Sequence, residues 1–174
     1  MKKYLAAASA VAVLAGAAPA LAQNIDGSVG YSSVDVGDAT VGAVTGRLGY
    51  SFNDVLGVEG EASFGVKDDT VTVPGPTNVD VELKHQVAIY GTAGLPIGEN
   101  GRVFARLGYG STKLEASAAG VVASGSEESV NYGAGAQYFF DGANGIRADY
   151  TKYDFDNSGG DADVWSVSYV RRFR

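Results

Sequence analysis

From about residue 24 onward, apolar and polar residues alternate with a period of two, the signature of strands that show one face to each of two environments. Eight segments carry this pattern. The first is about Asn24–Val36, with Ile25, Val29 and Tyr31 on one face. The second, about Val41–Phe52, sets Val44, Leu48, Tyr50 and Phe52 against Thr45, Arg47 and Ser51. The third, Val55–Val66, sets Leu56, Val58, Ala62, Phe64 and Val66 against Glu59, Glu61 and Ser63. The fourth, about Val79–Leu95, sets Val87, Ile89, Ala93 and Leu95 against Gln86, Tyr90 and Thr92.

The second half repeats the scheme. Segment five, Arg102–Leu114, shows Val103, Ala105, Leu107 and Tyr109 against Arg102, Arg106 and Gly108. Segment six, Ser129–Phe140, shows Val130, Tyr132, Ala134, Ala136, Tyr138 and Phe140 against Asn131, Gly133, Gly135 and Gln137. Segment seven, Gly145–Tyr153, shows Ile146, Ala148 and Tyr150 against Arg147, Asp149 and Thr151. Segment eight, Asp163–Phe173, shows Trp165, Val167, Tyr169 and Phe173 against Ser166, Ser168 and Arg172. Tight connections at Asn53-Asp54, Pro96–Gly101 and Asp141–Asn144 alternate with longer polar ones at Lys67–Asn78, Glu115–Glu128 and Asp154–Ala162, while Gly37–Thr40 is short. Long loops on one rim and short turns on the other predict an all-β, eight-stranded antiparallel up-and-down transmembrane barrel.

The segment before the strands points to export. Lys2 and Lys3 precede an apolar run from Tyr4 to Ala18, Pro19 breaks it, and Ala20-Leu21-Ala22 follows as a small-x-small cleavage site. The expected organisation is a signal peptide over residues 1–22 and a barrel domain over residues 23–174. No later run is long and apolar enough for a spanning helix.

Composition narrows the chemistry. The 174 residues carry no cysteine and one histidine, which excludes disulfides, thiolate metal sites, cysteine nucleophiles and any site built on two imidazoles. A net charge of −7 lacks the footprint of a nucleic-acid binder. Twenty-five glycines and ten tyrosines suit strands rather than helices.

The apolar face could be the core of a soluble, lipocalin-like barrel or the lipid-facing outside of a membrane barrel. Two features favour lipid. The polar face carries small residues and charges of both signs, with Arg rather than Lys, as a confined interior requires: Arg47, Glu59, Glu61, Arg106, Arg147, Asp149 and Arg172. The apolar face carries aromatic residues at both ends. Tyr50, Phe52, Tyr138, Phe140 and Phe173 fall near the short turns; Tyr31, Phe64, Tyr109, Tyr132, Tyr150 and Trp165 fall toward the long loops. Two such belts flanking an Ala/Val/Leu band mark the lipid interfaces.

The stretch Tyr132-Gly133-Ala134-Gly135-Ala136-Gln137-Tyr138 and the closing Trp165-Ser166-Val167-Ser168-Tyr169-Val170-Arg171-Arg172-Phe173, behind a signal peptide, resemble the OmpA/opacity-type eight-stranded outer-membrane barrels. The resemblance implies residence in the outer membrane of a Gram-negative cell, with lipid and lipopolysaccharide around the barrel. It also implies an assembly signal for the outer-membrane machinery in Trp165, Tyr169 and Phe173, although Arg174 follows the terminal aromatic. Unlike full-length OmpA, the barrel is expected to stand without a following peptidoglycan-binding domain.

Catalytic and metal chemistry find little support. His85 has no serine at the two-residue spacing of the lipid A deacylases, and a nucleophile needs a positioned base. Asp154–Gly159 resembles the first half of a calcium loop, but Trp165 stands where a bidentate Glu is required. No cofactor is expected. The charged polar face is the best-founded site: Arg47 neighbours Glu59 and Glu61, while Arg147 and Asp149 lie beside Arg172, and paired across the lumen these charges would plug it. The expected role is structural or surface-interacting, in envelope integrity or adhesion, through acidic extracellular loops that meet a surface ligand or host factor. A narrow porin-like channel is the alternative, with a lipid A-modifying enzyme third.

Overall fold

The structure is a computed structural model that describes residues 25–37, 39–67, 69–72, 78–118, 121–156 and 160–173. The expected signal peptide and its cleavage site lie outside these residues. The strands are β1 (Ile25–Val36), β2 (Ala39–Ser51), β3 (Leu56–Lys67), β4 (Asp69–Thr72), β5 (Asn78–Ile97), β6 (Gly101–Ala118), β7 (Val121–Phe139), β8 (Asn144–Phe155) and β9 (Asp161–Phe173).

Every pairing is antiparallel between chain neighbours, except at two closures. β1 pairs with β9, and β5 pairs with both β3 and the short β4. β3 and β4 therefore share one place beside β5, so nine segments make an eight-stranded closed barrel with no edge along its body. Passing from partner to partner, Ile25 leads through Tyr50, Val58, Gly91, Leu107, Tyr132, Lys152 and Asp163 back to Asp35, ten residues further along β1. That stagger tilts the strands against the barrel axis and sets how wide the interior is.

The eight expected segments all form strands, and the differences lie at their outer ends. The expected loop 67–78 contains β4. Most of the expected loop 115–128 is strand as well, because β6 runs to Ala118 and β7 begins at Val121 with unbroken register from Ala118↔Val121 to Gly101↔Tyr138. Small, hydroxylated and β-branched residues in this stretch tolerate the extended backbone, and polarity alone misread it as loop. β5, β6 and β7 span 20, 18 and 19 residues, against 12 or 13 for β1, β2, β3, β8 and β9. With β4 they form a sheet that projects past the barrel on the long-loop side. β7 pairs in register with β8 from Ser129 onward, and the Asp156 N–H donates to the Glu128 carbonyl just before it.

At the opposite rim the turns are tight. Gly98 and Gly142 adopt positive φ (64° and 76°), a conformation that glycine enters without steric cost. In the turn after β7, the Asp141 carboxylate accepts from the backbone N–H groups of Ala143 and Asn144 and from the Asn144 side chain. These donors hold its pKa down to about 2.

The outward face matches the expected lipid face. Leu48, Val58, Ile89, Leu107, Val130, Ile146 and Val167 are exposed around the barrel. Aromatic pairs flank this band: Tyr50 with Phe52 (5.5 Å between ring centroids) and Tyr138 with Phe140 (5.9 Å) near the short turns, and Tyr150 with Trp165 (4.9 Å) near the long loops. Tyr31, Phe64, Tyr109 and Tyr132 are exposed at that upper level, and Phe173 closes β9 opposite Ile25. No helix among the described residues is long and apolar enough to cross a membrane.

Candidate functional site

The inward face of each strand contributes to a filled lumen, and its layers follow from the alternation. Along β8, Arg147, Asp149, Thr151, Tyr153 and Phe155 project inward in succession from the short-turn end to the long-loop end. At the level of Arg147 and Asp149, side chains from five strands meet. Arg47 on β2 stands directly opposite Glu61 on β3 and donates from Nε to Glu61 Oε2 at 2.6 Å. Its Nη2 reaches Asp149 at 3.3 Å, and its remaining donors go to Ser168 (3.1 Å) and Ser166 (3.0 Å) on β9.

Arg106 on β6 bridges both glutamates, with Nη1 at 3.0 Å from Glu59 and Nη2 at 2.7 Å from Glu61. Arg147 donates to both oxygens of Glu59, one of them through Nη2 at 3.1 Å, and from Nε to Asp149 at 2.8 Å. All six side chains are buried. Three guanidinium groups thus face three carboxylates, and the cluster is electrically balanced where hydration is scarce. Such an arrangement offsets much of the cost of removing each ion from water.

Four neighbours complete it. Tyr90 and Tyr153 both donate to Glu61 Oε1, at 3.2 and 3.0 Å, and Asn131 donates to the Tyr90 hydroxyl at 3.1 Å. The Arg106 guanidinium lies 3.7 Å from the Tyr90 ring centroid, and that of Arg147 lies 4.3 Å from the Phe104 ring. On the long-loop side, hydroxyls form a chain across β9, β1, β2 and β3: Ser166 to Ser32 (2.7 Å), Ser32 to Thr45 (2.7 Å) and Thr45 to Ser63 (2.8 Å).

Six of the seven charged residues singled out by parity therefore converge. Arg172 does not. Its partner in register is Asp26 on β1, and its guanidinium lies 4.0 Å from the Phe139 ring near the short-turn rim. Arg147 and Asp149 face Ser168 and Ser166 on β9 instead, so sharing neighbouring strands was not enough to bring Arg172 to them. Tyr90 and Asn131 fall on the polar face expected for them. Tyr153 and Phe104 are lumen residues that the sequence reading did not single out, although each shares parity with inward Arg147 or Arg106.

Below the cluster, a cavity of about 440 Å³ opens at the short-turn end, lined by Asp26, Asp54, Glu99, Arg102, Phe139 and Arg172 among others. His85 is exposed on the outer face, opposite Phe64 and Lys113. Of the calcium-like loop, Asp154 pairs in register with Asp161 and Asp156 accepts from the Tyr109 hydroxyl at 3.2 Å; residues 157–159 lie outside the described chain. Among the described residues no group of three or more His, Asp or Glu side chains is placed to hold a metal ion.

Known proteins share this architecture. The attachment invasion locus protein Ail of Yersinia pestis, solved in complex with the heparin analogue sucrose octasulfate, is 24% identical and superposes with a TM-score of 0.62 over 86% of this chain and 98% of its own. The N-terminal β-barrel domain of Pseudomonas aeruginosa OprF is 13% identical, with a TM-score of 0.61 over 85% and 98%. Neisserial surface protein A is 8% identical, with a TM-score of 0.59 over 86% and 96%. No curated protein sequence matches. At such identities these likenesses speak to the fold alone. The profile of the outer membrane protein beta-barrel domain matches residues 5–173, nearly the whole chain. With this match and its closed antiparallel barrel, the chain belongs to the outer membrane protein beta-barrel domain family.

Proposed function

We propose that this barrel is a closed, non-catalytic surface protein of the outer membrane, whose projecting sheet meets a ligand outside the cell and whose lumen is plugged by its charged side chains. The observation that carries this reading is the unequal height of the wall. β5, β6 and β7 run well past their neighbours, and before Glu128 the described part of β7 pairs in register with β6 alone. A wall built only to span lipid needs strands of roughly ten residues. The additional length is an ordered platform above the membrane, which suits recognition better than a mobile loop.

Charge defines the partner. Asp69, Asp80, Glu82, Glu115, Glu127, Glu128, Asp154, Asp156, Asp161 and Asp163 outnumber Lys67, Lys84, Lys113 and Lys152 in the outer segments of the described chain. A polyanion such as the heparin analogue bound by Ail is disfavoured here; a neutral or cationic surface molecule is the class that fits. In the membrane the partners are lipid and lipopolysaccharide, held by the aromatic girdles. Trp165, Tyr169 and Phe173 on β9 are the proposed signal to the assembly machinery, and residues 1–22 the cleaved export signal.

The test is a strain in which residues 115–126 are replaced by a short turn. The shortened protein should still reach the outer membrane and show heat-modifiable migration on SDS gels, while the adhesion that distinguishes wild-type cells from a deletion strain is lost. Unchanged adhesion by the trimmed protein would reject the platform role. Single-channel steps from the purified wild-type barrel in planar bilayers would favour the narrow channel instead.

A further inference from the structure

The charge cluster is not the outermost layer of the lumen. Beyond the chain of hydroxyls, toward the long loops, the inward face turns apolar: Val34 on β1, Val41 on β2, Tyr153 and Phe155 on β8, and Val164 on β9 pack into one buried cluster. Leu83 on β5 belongs to the same cluster, at 2% exposure, although β5 lies on the opposite wall, four places from β9 around the sheet. Val41 and Ala43 on β2, two places from β5, belong to it as well, so the apolar lining continues around the wall from β8 through β9, β1 and β2 to β5.

Leu83 reaches this position through an irregularity. The β5–β6 register shifts between Leu83 and His85, where Lys84 is the extra residue, so Leu83 and Gln86 both point inward despite their opposite parity. Opposite it, Gly65 on β3 leaves no room for a side chain, since a Cβ there would lie 1.9 Å from the Leu83 carbonyl oxygen.

We infer that this apolar layer is a second seal, placed outside the charge cluster, that bars ions and water from the extracellular side whether or not the ion pairs below it are intact. Within the lumen, an ion entering from outside meets this hydrocarbon before it reaches the ion pairs of the cluster. A dry apolar constriction offers it no replacement for its hydration shell. An ion entering from the other end finds the open cavity lined by Asp26, Arg102 and Arg172 and is stopped first at the Arg147–Glu59 level. The lumen is thus a one-ended vestibule with two barriers in series. The inference deepens the reading of a closed lumen and rests on it.

The native chain has no cysteine, so one introduced thiol reports access without background. Ser32→Cys places it in the hydroxyl layer, between the two barriers. Intact cells are treated with a charged maleimide too large for general porins. Slow labelling is expected in the otherwise native barrel, and an increase of at least about tenfold when Leu83→Ser and Val164→Ser make the apolar layer polar. Rapid labelling in the native background, or no increase in the polar variant, would overturn the seal. Heat-modifiable migration of each variant verifies that the barrel has closed.

Bilayer conductance separates this inference from the one beneath it. Steps from the native protein would sink the closed lumen altogether. A silent native protein with a conducting Arg47→Met variant would leave the closed lumen standing and refute the second seal. Silence in Arg47→Met, with conductance once Leu83→Ser and Val164→Ser are added, is the result expected; silence in that combined variant would also refute it.

Discussion

Arg47 and Glu61 stand directly opposite each other on β2 and β3, with Nε and Oε2 2.6 Å apart, whereas Glu59, one inward position closer to the short turns, is bound by Arg106 and Arg147 instead. Parity places both glutamates in the lumen beside Arg47, and only the register separates them. Removing one partner of an isolated buried pair costs about 3–5 kcal/mol; here Arg106 still reaches Glu61 and Asp149 still reaches Arg47, so each single substitution should cost less than that. Urea unfolding of Arg47→Met, Glu61→Gln and the double variant should therefore show strong coupling, with the double variant less damaged than the sum of the singles. The matching cycle with Glu59→Gln should be much closer to additive. Equal coupling in both cycles would mean that the strands pair differently.

The outer face sets a second expectation. Leu107 is 62% exposed in the middle of the outward band, so Leu107→Arg puts a charge into hydrocarbon and should cost roughly 2–4 kcal/mol of folding free energy in bilayers. Glu99 is exposed in a short turn, and Glu99→Arg should change stability by no more than about 0.5 kcal/mol. Comparable folding yields for the two would reverse the assignment of faces.

Trp165 is the single tryptophan of the chain, and it lies 61% exposed beside Tyr150 in the upper girdle. Intrinsic fluorescence therefore reads one site. In vesicles its emission should be blue-shifted relative to the unfolded protein. Lipids brominated close to the headgroup should quench it more strongly than lipids brominated near the chain ends, as an interfacial ring requires; the reverse order would remove Trp165 from the interface.

Close approach of strands fixes certain glycines by space alone. A Cβ on Gly133 would lie 2.2 Å from the Tyr150 carbonyl oxygen, while one on Gly46 would meet nothing within 4 Å. Gly133→Ala should thus destabilise the barrel by about 1–3 kcal/mol through forced displacement of β8. Gly46→Ala should be neutral or slightly stabilising.

Acid should act on the turn after β7. The Asp141 carboxyl has its pKa lowered from 3.8 to about 2 by the three donors it accepts from, so it binds a proton less readily in the folded than in the unfolded chain. Its contribution is fully present above the unfolded value near 4 and fades as pH falls through about 2. Asp141→Ala should lower stability at neutral pH and flatten the part of the acid profile between those values. An unchanged slope there would show that the turn is not held by its carboxylate.

Much of this protein was determined locally. A period of two needs only the alternation of side chains along an extended chain, so the strands, the outward apolar face and the inward direction of Arg47, Glu59, Glu61, Arg106, Arg147 and Asp149 could be read from residue order. What parity cannot supply is height along the barrel axis, because register depends on bulges and on the stagger accumulated around a closed sheet. That stagger chose Glu61 over Glu59 for Arg47, and it left Arg172 beside Phe139 instead of Asp149. The extra residue at Lys84 turned Leu83 inward against the alternation and so added it to the apolar cluster in the lumen. The length of β6 and β7 also escaped the sequence, since polar residues that look like loop form strand once each has a partner to supply its hydrogen bonds. Faces are properties of one strand and are written in it; meetings between distant strands are made only when the barrel closes.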